Sequence, residues 1–467
     1  MKKSRRSSII RVLRSELVPS FGCTEPVAVG LATSIAYNAI QENLPSWLET
    51  QWTAKTRLEE VTQRDIERIV VDLDRFTYRN GLDVEIPGTG GKRGILTAAA
   101  LGVFCDPNKK LSIFEDSSAE KAESMSELLK TNKVRLRVAD TREVPSMYIR
   151  AEVQVKRANG SFSQGIAVIQ YTHTNVAFIK KDHRFLYRRK CSDRNGLDDG
   201  MKALSKIQLK EIVDVAMNLP REDYDLVSRS IYMNLGAAEV GLRNKSGLKV
   251  GYTLQRLRDE ETLGDDMIAH AVAITGAAVD ARMSGEVVPV MSCGGSGNQG
   301  LVATLPIVAI AKEQGWDEKK VARAVALSYL ITCYCTSHLG YLSTLCGGAV
   351  KAGVGATAGI VYYLGGKLHQ INSAMKNLIE CIAGILCDGA GRSCAMKLAT
   401  ISGAAVKSAL LALNGVEVPS RKGIAGKNLE ETMKNVKRIS DGMNKVDEAV
   451  LEIISASTKQ AIVASHS

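Results

Sequence analysis

Aromatic side chains are scarce in this sequence: seven Phe, thirteen Tyr and three Trp make up 5% of 467 residues. Few of them interleave with the basic stretches, which removes the mixed aromatic and basic surface that a nucleic-acid reader needs. The net charge of +11 is spread along the chain, apart from Lys2, Lys3, Arg5 and Arg6 at the start and Lys180, Lys181, Arg184, Arg188, Arg189 and Lys190 further on. These read as solvated faces that steer anions. No nucleic-acid partner is expected.

Long apolar runs are also missing. The most apolar window, 345–364, is broken by Lys351 and consists mostly of small residues, which suits a buried helix better than a bilayer span. The start is basic and then amphipathic (Ile9, Ile10, Val12, Leu13, Leu17), without an apolar block leading to a small-residue cleavage site. A cytoplasmic protein with no membrane partner is expected. The ten cysteines contain no C-x-x-C pair, so the motifs of a zinc ribbon and of a ferredoxin are both absent. In a reducing compartment such thiols are buried fillers, metal ligands or catalytic groups rather than disulfides.

What the chain does have is length and forty glycines. At 467 residues, more than one core is expected. Short β-prone runs at 66–73, 134–138, 148–155 and 166–171 alternate with helical segments at 94–104 and 117–131, which predicts an α/β domain over 60–195. From residue 200 the period is helical with small-residue faces, at 206–218, 224–243, 265–283, 300–313, 317–334, 343–363, 372–387 and 395–412. Residues 200–467 therefore form a helical domain, its charged tail from 415 a packed hairpin. The segment 1–55 reads as helices packing on that domain. The fold class is α+β: a small-residue-rich helical catalytic domain plus a smaller α/β domain.

Chemistry-bearing residues gather at glycine-rich turns. Cys23 precedes a helix whose first turn holds Glu25 and Pro26, with Thr24 as the cap; a helix N-terminus favours a thiolate there. The stretch Ile86-Pro87-Gly88-Thr89-Gly90-Gly91-Lys92-Arg93-Gly94 lacks the Lys-Ser/Thr ending of a phosphate loop. It reads as a tight strand-to-helix turn, with a carboxylate-binding role left open. His173, in His173-Thr174-Asn175, is either a hydrogen-bonded structural group or a catalyst. Met291-Ser292-Cys293-Gly294-Gly295 leads into Ser296, Gly297, Asn298, Gln299 and Gly300, a loop that presents amides and N–H groups to a carboxylate at a helix start. Cys346, Cys387 and Cys394 lie in glycine-rich turns at separate helix ends, the arrangement of a cluster site with one corner open to substrate. Cys105, Cys191, Cys333, Cys335 and Cys381 lack that context.

Six motifs then occur in order: Gly22-Cys23-Thr24-Glu25-Pro26, Ile86-Pro87-Gly88-Thr89-Gly90, His173-Thr174-Asn175, Ser296-Gly297-Asn298-Gln299-Gly300, Leu345-Cys346-Gly347, and Cys387-Asp388-Gly389-Ala390 with Cys394. The series resembles the L-cysteine desulfidase family, which is related to the α-chain of iron–sulfur L-serine dehydratases, over about residues 10 to 412. The resemblance implies an oxygen-sensitive [4Fe–4S] enzyme without pyridoxal phosphate that converts L-cysteine to pyruvate, ammonia and hydrogen sulfide. It implies Cys346, Cys387 and Cys394 as cluster ligands. Thr24, Asn80, Ser296, Gly297, Asn298 and Gln299 fall on the substrate side, while Cys23, Glu25 and His173 are all candidates for the base. Cys293 departs from the small polar residue usual before the glycine loop, and Gly347 stands where many relatives carry a further cysteine. L-Serine dehydration on the same cluster is the alternative, and a non-catalytic iron or redox sensor the second. The implied partner is the amino-acid substrate, and a homodimer is expected.

Overall fold

The computed structural model describes residues 3–48, 62–139, 144–189 and 199–457. The first elements are α1 (Lys3–Glu16), β1 (Val18–Phe21), α2 (Thr24–Ile40), β2 (Ile66–Leu73), α3 (Arg75–Gly81), α4 (Gly94–Gly102) and α5 (Ala119–Lys130). Strands β3 (Val134–Val138), β4 (Tyr148–Lys156), β5 (Phe162–Gln170), β6 (Val176–Lys181) and β7 (Arg184–Arg188) follow. Next come α6 (Asp199–Leu204), α7 (Leu209–Met217), α8 (Arg221–Asn244), α9 (Val250–Asp259), α10 (Met267–Met283), β8 (Pro289–Ser292), α11 (Gly297–Gln314) and α12 (Glu318–Leu339). A π-helical turn, Gly348–Gly353, leads into α13 (Val354–Tyr363), then α14 (Leu368–Ile382), α15 (Cys394–Leu413), α16 (Leu429–Asp441) and α17 (Asn444–Ser457). The fold is α+β.

The six-stranded sheet runs β3-β2-β4-β5-β6-β7, with β2 and β3 parallel and the other pairs antiparallel. Period-two alternation builds it. Ile149, Ala151, Val153 and Val155 of β4 are buried, while Arg150 points the other way and bonds Asp72 at 3.0 Å and Glu152 at 2.7 Å. Helices α2 and α4 cover the buried face, so Ile35, Ile69, Ala98 and Ile149 share one core. Helix α2 approaches β5 so closely that a Cβ at Gly165 would sit 1.8 Å from the Ala36 carbonyl oxygen.

The second core is helical, built from Ala, Val, Leu and Ile of α8, α10 to α13 and α15. Helix α15 is long and apolar enough to cross a membrane, yet over half of its apolar window is buried inside the protein, where it packs on α10 and α14. The segment 1–55 does not join this core as a unit. Helix α1 packs on α6 and α12, whereas α2 belongs to the sheet core, because its apolar residues face β4 and β5. The tail likewise divides: α16 packs on α12 and α14, and α17 reaches α3. Residues 458–467 and Cys191 lie outside the described residues.

A two-stranded antiparallel ribbon joins the cores. Strand β1 pairs with β8, Val18 opposite Ser292 and Phe21 opposite Pro289. Cys23 follows one strand and Gly294 the other.

Candidate active site

Leu345 and Leu386 form an antiparallel bridge, flanked by Cys346 N–H to the Ile385 carbonyl (2.9 Å) and Cys387 N–H to the Thr344 carbonyl (2.8 Å). Side chains alternate along such a pair, so Cys346 and Cys387 share the face opposite Leu345 and Leu386 as diagonal neighbours, roughly 7–8 Å apart. Cys394 is the first residue of α15, its Sγ 3.8 Å from the Gly389 carbonyl oxygen. Gly389 has φ +100, and a Cβ there would meet the Arg79 carbonyl oxygen at 2.8 Å, so only glycine brings the loop in this close. All three cysteines line one cavity with Cys23, Glu25, Asn80, Arg282, Ser296, Asn298 and Gln299.

Cys23, not Thr24, caps α2, and it makes no side-chain capping bond. Its Sγ donates instead to Glu25 Oε2 at 3.0 Å, the Thr24 hydroxyl donates to the same oxygen at 3.1 Å, and Asn80 Nδ2 donates to Oε1 at 2.9 Å. Burial, reinforced by the Glu25 charge, raises the Cys23 pKa well above its ordinary value. Cys23 is therefore a thiol, and the thiolate that a helix dipole would favour does not form. Burial also works against the Glu25 charge, but neighbouring His173 and the bonds from Cys23 and Asn80 outweigh it and hold the carboxyl below its ordinary pKa.

His173 does not line the cavity. It is buried behind Glu25, its Nε2 4.0 Å from Glu25 Oε1 and without a hydrogen bond. Burial lowers its pKa. The Thr24 hydroxyl is spent on Glu25, and Gly297 serves by having no side chain: a Cβ there would lie 2.4 Å from Arg282 Nε. The Ile86–Gly94 stretch is a turn outside the cavity. Its Pro87 packs under Gly22, and the neighbouring Glu85 accepts from Arg93 at 2.7 Å and also from Arg392 of the cysteine loop. Cys293 is fully buried against Cys333, Sγ to Sγ 3.7 Å, and does not line the cavity.

The sequence reading missed Arg282, Lys351 and Lys397, which all line the cavity. Lys351 is 1% exposed, its pKa lowered to about 8 by burial, and its Nζ donates to the carbonyls of Gly340 (2.7 Å) and Tyr341 (3.0 Å). A signal existed for Arg282: along Ala271–Met283, Asp280 and Arg282 are the charged residues in an otherwise small, apolar helix face.

Three converging thiols form a donor set that fits an iron–sulfur cluster, and Gly347, Gly348, Gly389, Lys351 and Lys397 line the same cavity. Burial pushes the Cys346 thiol up to about 11 and the Cys394 thiol to about 12, values that ligation by a metal would override. Among the described residues no group of three His, Cys, Asp or Glu closes on a single ion. Diagonal sheet neighbours stand too far apart for that and suit a larger, polynuclear group.

A family model described as "Serine dehydratase alpha chain" matches residues 108–452. A UPF0597 protein of Desulfotalea psychrophila is 37% identical over 461 residues, covering 97% of this chain and 99% of that one. A UPF0597 protein of Clostridium tetani is 35% identical over 454 residues, again covering 97% and 99%.

Proposed function

The chain belongs to the serine dehydratase alpha chain family, and from that premise we propose that it is an iron–sulfur lyase that breaks the Cβ–S bond of L-cysteine. The carrying observation is the convergence of Cys346, Cys387 and Cys394 on the cavity that also exposes Cys23 and Glu25. The choice of sulfur over oxygen rests on the six ordered motifs that resemble the desulfidases. The three cysteines would hold a [4Fe–4S] cluster, which when bound supplies an iron lacking a protein ligand, a Lewis acid soft enough for a thiolate.

The proton falls to Cys23 and Glu25. With Glu25 ionised and Cys23 a thiol, the substrate α-proton passes to the Cys23 sulfur as the Cys23 proton crosses the 3.0 Å hydrogen bond to Glu25 Oε2. Asn80 and Thr24 keep that carboxylate oriented throughout. Departure of hydrosulfide from Cβ leaves 2-aminoacrylate, whose imine tautomer takes up one water. L-Cysteine and water thus give pyruvate, ammonia and hydrogen sulfide, with no net oxidation or reduction. Free thiols at the site need a reducing compartment, and we place the protein in the cytoplasm.

Anaerobically purified protein, given L-cysteine or L-serine in parallel, tests the reading. Equal amounts of sulfide and pyruvate from cysteine are expected, with a higher kcat/KM than for pyruvate from serine. Turnover of serine alone would contradict the assignment and make the enzyme a serine dehydratase.

A further inference from the structure

Among the cations at the cavity, Arg282 stands apart. Lys351 gives two of its three N–H groups to carbonyls, and Lys397 bonds Asp388 and the Leu386 carbonyl. The nearby Arg79 and Arg392 are paired with Asp447 and Glu85. Arg282 is 1% exposed and, among the described residues, has no carboxylate within ion-pair distance. Its Nη1 donates to Asn298 Oδ1 at 2.8 Å. Its Nε and Nη2 are buried without any acceptor. A buried guanidinium with two of its three nitrogens unspent is costly unless an anion arrives, and its flat fork matches a carboxylate.

Gln299 lines the same cavity, 4% exposed, with Oε1 also buried and unpartnered. The lining of one cavity thus offers both an unspent cation and an unspent acceptor.

We propose that Arg282, oriented by Asn298, is the anchor for the substrate α-carboxylate and that Gln299 Oε1 receives its α-ammonium, so that the cavity selects free α-amino acids. The proposal rests on the lyase reading for its substrate class. It changes the role of Asn298, whose amide is turned towards Arg282 and Met283 and so acts on the ligand through the guanidinium. It also accounts for Gly297, since any Cβ there would strike Arg282.

Calorimetric titration of the anaerobically purified protein with L-alanine, propionate and ethylamine tests this without turnover. Wild type should bind alanine more tightly than propionate, and ethylamine weakest of all. Arg282→Gln should weaken both alanine and propionate about ten- to a hundredfold, with Arg282→Lys in between, whereas Gln299→Leu should weaken alanine and leave propionate unchanged. Removing an unpaired buried charge should leave the ligand-free melting temperature of Arg282→Met at or above that of wild type. A large fall in that temperature would mark Arg282 as structural and overturn the proposal, as would unchanged propionate binding in Arg282→Gln. If Arg282-dependent binding is seen but no cysteine is turned over, the lyase reading fails and the anchor stands. If cysteine turns over with an unchanged KM in Arg282→Gln, the anchor fails and the lyase reading stands.

Discussion

Cys23 and Glu25 divide a proton between them, and their two-residue spacing is enough to make the pair. Both are buried, and the hydrogen bonds to Glu25 decide which of them carries the charge. Glu25→Gln removes the acceptor for the Cys23 proton, so kcat should fall about 10²–10⁴-fold while the visible spectrum of the reconstituted protein stays as in wild type. A near-normal kcat would remove Glu25 from the chemistry. The pH dependence follows from the same pair. A lowered carboxyl pKa keeps Glu25 ionised above it, so the carboxylate's contribution is lost only as pH falls through that value, which lies below the ordinary value of about 4.3. Burial lowers the pKa of His173 below its ordinary value. The kcat profile should therefore show no inflection between the ordinary carboxyl value of about 4.3 and the ordinary histidine value of about 6.5; an inflection inside that window would hand the role to His173.

Helix α3 is seven residues long and holds Asn80 against Glu25, so its own start matters. Asp74 caps it, accepting from the N–H groups of Phe76 (2.8 Å) and Thr77 (3.0 Å), from the Thr77 hydroxyl (2.5 Å) and from Tyr148 N–H of β4 (2.7 Å). Asp74→Ala should lower unfolding stability by about 1–3 kcal/mol and depress kcat by loosening Asn80; an unchanged urea midpoint would deny α3 this dependence. Elements of this kind were unevenly legible in the sequence. The long helix α8 announces itself by its period and β4 by alternation with a polar outer face, whereas α10 is apolar nearly all round and shows little period. Strands β1 and β8 are four residues each and contain proline, too short for any period, though they tie the cores together. The three cysteines were visible because glycine surrounds them. The protonation of Cys23 was not, because burial and a nearby carboxylate reverse what its place at a helix start implies.

Across the whole molecule, α17, the last helix among the described residues, is tied to the site. Asp447 of α17 is fully buried, pairing with Arg79 and lying 3.0 Å from Arg75 Nε, while Arg79 Nη2 also holds the Ser343 carbonyl at 3.0 Å. Arg79 precedes Asn80, and its carbonyl packs against Gly389 of the cysteine loop. Asp447→Ala leaves a buried guanidinium unpaired and should cost about 3–5 kcal/mol, read as a lower urea midpoint, whereas an unchanged midpoint would show that α17 is dispensable. The two cores and the ribbon meet at one cavity, in which three cysteines would hold a cluster. Iron and acid-labile sulfide content after anaerobic reconstitution measures it most directly. Wild type should carry about four of each per chain, and Cys346→Ala, Cys387→Ala and Cys394→Ala should each lose them, while Cys105→Ala and Cys293→Ala keep them. A colourless wild-type protein, or full iron and sulfide content in any of the three variants, would contradict the account.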